Sequence, residues 1–127
     1  MNLEKVVFGF FIVFAATLNF GFVIGEIDNP MHHNATELFF AIVVNLIATV
    51  LKFGDRTQVG AVHLATSLVA DLQLLAAAGA WAYAAYVSPT GVDTGAITTI
   101  VSLSAGALLA NIISVVMLIV ETMMLRR

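Results

Sequence analysis

The stretch from Gln58 to Val87, QVGAVHLATSLVADLQLLAAAGAWAYAAYV, decides the fold. It is long and apolar enough to cross a bilayer, so the chain reads first as a membrane protein. It also carries His63, Asp71 and Gln73. An aspartate near the middle of a span costs about 2.5–3.5 kcal/mol even on a lenient insertion scale. A buried hydrogen-bond partner or a watery path must offset that cost. At 1.5 Å per residue the helix expected over Val59–Val87 runs about 43 Å against a hydrocarbon core of roughly 30 Å, which predicts tilt, a kink or protrusion.

Composition agrees. Of 127 residues, 61% are hydrophobic and 10% charged, against about 45–50% and 25% in soluble domains, so a single integral membrane domain over residues 1–127 is expected. The chain has no cysteine, which excludes disulfides, thiolate metal sites and a Cys nucleophile. No basic patch suggests a nucleic-acid partner. Inspection finds no nucleophile set, metal cluster or phosphate loop, so neither an enzyme nor a cofactor is expected.

Working outward, Gly54-Asp-Arg-Thr-Gln58 is a short link in which Gly54 stops one helix and Asp55 or Thr57 caps the next. So short a link forces an antiparallel hairpin. The helix before it covers about 38–53 and is interrupted by Asn45 and Thr49. Asn34 with Glu37 reads as the capping box that opens it. Ahead of that lies a polar loop, Glu26 to Thr36, with a turn at Asn29-Pro30. The first helix covers about 6–25, where Thr17, Gly21 and Gly25 form a close-approach face and Asn19 is the one strongly polar side chain. Beyond the stretch, Ser88 to Gly95 is a turn. A fourth helix covers about 96–120, with a small-residue row Ser102, Gly106, Ala110, Ser114. Within it Asn111-Ile-Ile-Ser-Val-Val-Met117 echoes Asn45-Leu-Ile-Ala-Thr-Val-Leu51, a pattern consistent with two tandem hairpins. The fold class is all-α, with four transmembrane helices.

Four spans put both termini and the 54–58 link on one side. Lys5, Lys52, Arg56, Arg126 and Arg127 are every lysine and arginine in the chain, and all belong to that side. The positive-inside rule therefore predicts cytoplasmic termini. The opposite loops hold Glu26, Asp28, Glu37, Asp93, His32 and His33. Trp81, Tyr83 and Tyr86 suit an aromatic belt at that far interface.

On the Val59–Val87 helix, His63, Thr66, Ser67, Ala70 and Asp71 share one face. Asn45 and Asn111 fall at comparable or somewhat more cytoplasmic depth. Two readings stand side by side. Asp71 is the binding or relay group of a cation or proton path, with Asn45, Asn111, Ser67 and His63 along it. Alternatively, it is an acid tied to Asn45 or Asn111 that holds the bundle together. His63, close to the interface, reads more readily as a snorkelling or capping group than as a ligand. Glu26, Asp28 and Glu37 form an acidic outer mouth that concentrates cations. His32 and His33 read as residues of a solvated loop rather than metal ligands, because adjacent loop histidines have no fixed ligand geometry.

Thr17-Leu-Asn-Phe-Gly21 resembles the Thr-x-Gly-Tyr/Phe-Gly filter of potassium channels over five residues, but Asn19 replaces the middle glycine. A glycine packing face explains the same residues. Small multidrug exporters carry an essential acid in their first span, which has none here, and the one-sided cations depart from the dual topology of fluoride channels. Across its whole length, notably at TLNFG, GDRTQ and SLVADLQ, the chain resembles an uncharacterised family of small four-helix bacterial inner-membrane proteins. That resemblance implies location in a bacterial inner membrane and carries no activity. The expectation is a homo-oligomeric channel or transporter for a cation or protons, with lipid and copies of itself as partners. The alternative is a non-conducting scaffold or accessory subunit of a membrane complex.

Overall fold

The structure, a computed structural model, describes residues 3–25, 29, 31, 33–55 and 57–125. They form four helices: α1 (Leu3–Val23), α2 (Ala35–Lys52), α3 (Gln58–Tyr86) and α4 (Thr94–Leu125). Each packs mainly on its neighbours in a closed ring, α1 on α2, α2 on α3, α3 on α4 and α4 on α1. The result is an antiparallel four-helix bundle. Its terminal end carries the start of α1, the α2–α3 turn and the end of α4. The loop end carries the other two connections.

Local chemistry sets the helix limits. Asn34 is extended, at φ −99° and ψ 119°, and its Oδ1 accepts from the Thr36 N–H at 2.8 Å. That cap starts α2 at Ala35, ahead of the expected start at 38. Glu37 does not complete a box with it but turns toward α1 and rests on Gly21, where a Cβ would collide with its carboxylate. Thr57 caps α3 by accepting from Gly60 N–H at 2.9 Å. Asp55 steadies the cap, taking the Thr57 N–H at 3.0 Å and its hydroxyl at 2.7 Å. The Asp55 carboxylate lies against Gly60, which has no Cβ to obstruct it. At the head of α4, Asp93 accepts from Ala96 N–H at 2.8 Å and from the Thr90 hydroxyl at 2.8 Å, which holds its carboxyl below the usual range. α4 runs on to Leu125, past the expected end near 120, because Glu121 to Leu125 contains no breaker and Glu121 is held by Lys5.

The buried face of α1 is Phe8, Ile12, Ala15, Asn19 and Phe22, at alternating spacings of four and three. Thr17 lies outside that face and is exposed, so the expected glycine row does not form the α1 seam. On α4, Ser102 is likewise exposed, while Ile97, Ile100, Val101, Ser104, Ala107, Asn111 and Ser114 point inward. The outer surface is apolar: Phe10, Phe39, Val50, Leu72 and Met123 are each at least 60% exposed. A soluble protein does not present such a surface. Each helix is long and apolar enough to cross a bilayer, and the chain is a multi-pass membrane protein. Trp81 packs its ring on Phe22, with centroids 6.3 Å apart, while Tyr83 and Tyr86 stay exposed near the loop end. Arg56, Arg126 and Arg127 lie outside the described residues, as does Pro30.

Asp55 makes the turn sensitive to acid. Its bonds from the Thr57 hydroxyl and N–H, together with Lys52, hold its pKa at about 2, against the usual 3.8. A depressed folded-state pKa stabilises the fold above the unfolded value and loses that contribution as pH falls through the folded one. The melting temperature in detergent should therefore drop between about pH 4 and about pH 2, and Asp55→Asn should flatten that drop.

Candidate functional site

Asp71 sits near the midpoint of α3 and is 7% exposed. Both of its carboxylate oxygens are engaged by α2. The Asn45 amide donates to Oδ1 at 2.6 Å, and the Thr49 hydroxyl lies 2.6 Å from Oδ2. Asn45 also donates to the Ser67 carbonyl at 3.4 Å. Asn45 and Thr49 are four residues apart, so they stack on one α2 face and present two donors to one carboxylate. Thr49 is the residue that sequence reasoning passed over as a partner. Its spacing from Asn45 was the available signal.

The Thr49 hydroxyl has a second neighbour, the Asn45 carbonyl oxygen at 3.0 Å. A hydroxyl has one proton to give and can also accept. When Asp71 is ionised, Thr49 donates to it. When Asp71 carries a proton, Asp71 donates to Thr49, and Thr49 turns its own proton to the Asn45 carbonyl. Both protonation states are hydrogen-bonded in the same heavy-atom arrangement.

Asn111 is not a partner of Asp71. It is fully buried, and neither its Oδ1 nor its Nδ2 finds a hydrogen bond among the described residues. The reason is register: His63 bonds the Ser114 hydroxyl at 2.8 Å, which places Asn111, one turn further along α4, opposite Ser67 rather than Asp71. Ser67 is fully buried and its Oγ is also unpartnered among the described residues.

His63 is not the snorkelling group expected of it. It is fully buried, with its ring edge-on to Phe8 at a centroid distance of 5.1 Å and its Nε2 3.9 Å from Glu121 Oε1. Glu121 in turn pairs with Lys5. Lys52 lies 4.2 Å above the Phe8 ring and 3.3 Å from Asp55.

The outer mouth is less complete. Glu37 lies on Gly21, half-buried, while Glu26 and Asp28 fall outside the described residues. His33 is not a solvated loop residue. It is buried, its Nδ1 is 2.5 Å from the Phe22 carbonyl, and its ring packs on that of Phe22. It thus engages a carbonyl in the last turn of α1, a position where helices leave carbonyls unpaired. His32 lies outside the described residues.

Fold and site together define a small four-helix membrane bundle with a hydrogen-bonded acid in its core. The chain belongs to a family of unknown function, DUF6394, whose pattern matches residues 32–122. No curated protein and no solved structure matches it.

A double-mutant cycle tests the seam. Thr49→Val and Asp71→Leu, unfolded singly and together in detergent, should show a coupling of about 1–2 kcal/mol. That is above the roughly 0.6 kcal/mol average for interhelical bonds in membranes, because the acceptor is a carboxyl group. Strict additivity would mean that the Thr49 bond does not form.

Proposed function

We propose that this protein is a membrane pathway for protons, built from copies of the chain, with Asp71 as the proton-binding group. The observation that carries this reading is the Asp71, Thr49 and Asn45 triad, which accommodates a proton arriving or leaving by turning one hydroxyl. Intramembrane acids that face a bundle interior commonly mark such pathways. A proton suits the site better than a metal cation. The Asn45 N–H groups point at Asp71 Oδ1, where a metal would need further oxygen ligands. The role is non-enzymatic and requires no cofactor.

Lys5 and Lys52 at the terminal end support a cytoplasmic orientation of that end in a bacterial inner membrane. Thr17 and Ser102, small polar residues on the bundle surface, suit close approach of a second copy. In proteoliposomes, Asp71→Asn should abolish proton flux while leaving the oligomer's elution unchanged. Undiminished flux in that variant would remove Asp71 from the mechanism.

A second reading is a non-conducting scaffold or accessory subunit. It is favoured by one specific feature, that both carboxylate bonds of Asp71 go to the adjacent helix and close a seam. It predicts silence in the same assay for protons and for common cations.

A further inference from the structure

The polar side chains of the terminal half fall into successive levels along the core. Nearest the end, Lys5 of α1 pairs with Glu121 of α4. One level in, His63 of α3 meets Ser114 of α4. A turn further along both helices come Ser67 and Asn111, and a turn beyond Ser67 lies Asp71 with Asn45 and Thr49. Along this column His63 Nε2, Ser67 Oγ, Asn45 Oδ1, both polar atoms of Asn111 and Glu121 Oε1 are buried without hydrogen-bond partners among the described residues. Buried polar atoms in native proteins are nearly always bonded, and where protein offers no partner, ordered water does so. The 3.9 Å between His63 Nε2 and Glu121 Oε1 also suits a bridging water better than direct contact.

The two ends of the column differ. At the terminal end a cleft of about 800 Å³, lined by Lys5, Lys52, Asp55 and Thr57 among others, reaches inward to Phe8. The far side of Phe8 is the His63 ring. Just past Asp71 two more polar atoms, Gln73 Oε1 of α3 and Ser104 Oγ of α4, are buried without partners among the described residues. Beyond them the core closes over Ala77, Ile97, Ile100 and Val101, all fully buried or nearly so. The Asn19 side chain there faces the α4 backbone, and with its amide nitrogen turned to the Ser104 carbonyl (2.9 Å) its oxygen accepts from the Leu108 N–H (3.0 Å).

We infer that this column is a one-sided aqueous route. Water enters from the terminal end, passes Phe8 and His63, reaches Asp71 and stops about a turn past it below the apolar closure, so that within one subunit Asp71 exchanges protons with the terminal side only. The inference deepens the proton reading by naming the side of access, and it is tested without flux. Because the chain has no cysteine, single cysteines report cleanly. Ser67→Cys and Asn111→Cys should be captured by silver ion, which is small enough to follow a file of waters, when it is added to vesicles on the terminal side. Capture is read as protection from later alkylation in denaturant, with vesicle orientation set by protease access to a C-terminal tag. Reaction should be at least about tenfold faster from that side than from the other, since the reactive thiolate forms only where water reaches. Ala77→Cys and Ile100→Cys should stay unreacted from both sides.

Two outcomes overturn the route: no capture at both Ser67→Cys and Asn111→Cys, or equal capture at either from both sides. If both cysteines are captured from the terminal side yet Asp71→Asn leaves flux unchanged, the route stands and the proton reading fails. Loss of flux in Asp71→Asn with both cysteines silent removes the route alone.

Discussion

A carboxyl group at the midpoint of a membrane span has to be hydrogen-bonded, and the arrangement of α2 against α3 follows from that requirement. Asn45 and Thr49 supply the partners for Asp71, each at 2.6 Å, and Asn45 reaches the Ser67 carbonyl as well. Three bonds across one interface allow little sliding between the helices. The short turn, in which Asp55 holds Thr57 and Thr57 caps α3, delivers α3 antiparallel and at the right height. Without water in the hydrocarbon, a displaced register would leave the acid with no partner.

The rest of the bundle completes an interior more polar than its surface. Leu, Phe, Val and Met side chains cover the outside, where lipid replaces water and apolar exposure costs nothing. Inside, α1 is tied to α4 by the Asn19 amide and by the pairing of Lys5 with Glu121. α3 is tied to α4 by His63 and Ser114. Gly106 leaves room for the Gln73 side chain to lie against α4. Small side chains at the contacts, among them Ala41, Ala48, Ala70, Ala77 and Ala107, let the backbones approach.

Several readings were legible because they rest on local chemistry. A cap at Asp55 or Thr57, the position of Asn34, the inward stripe of His63, Ser67 and Asp71, and an asparagine partner for Asp71 at Asn45 or Asn111 all follow from spacing along one or two helices, and the structure selects Thr57 and Asn45. Other readings failed because they depend on how helices meet. Asn45 and Asn111 sit in nearly the same local sequence, yet one is bonded to Asp71 and the other has no partner among the described residues. Taken on one helix alone, His63 read as a snorkelling group. The overlap of α1 and α4 around it, with Phe8 on one side and Ser114 on another, buries it completely. His33 looked like part of a solvated loop until the Phe22 carbonyl and ring were brought beside it.

The sequence by itself determined that this chain is a four-helix membrane protein with an acid at mid-span, because hydrophobic length, helix caps and charge placement are properties of contiguous residues. It also marked the face of α3 that turns inward, since the polar stripe of His63, Ser67 and Asp71 is costly to present to lipid. Only the tertiary structure decided that Thr49 completes the Asp71 site, that Asn111 pairs with neither, and that an apolar plug closes the core beyond Asp71, Gln73 and Ser104. Those outcomes depend on the relative height and rotation of neighbouring helices. A shift of one residue turns a side chain through about 100°, far more than any reading of a single helix can constrain.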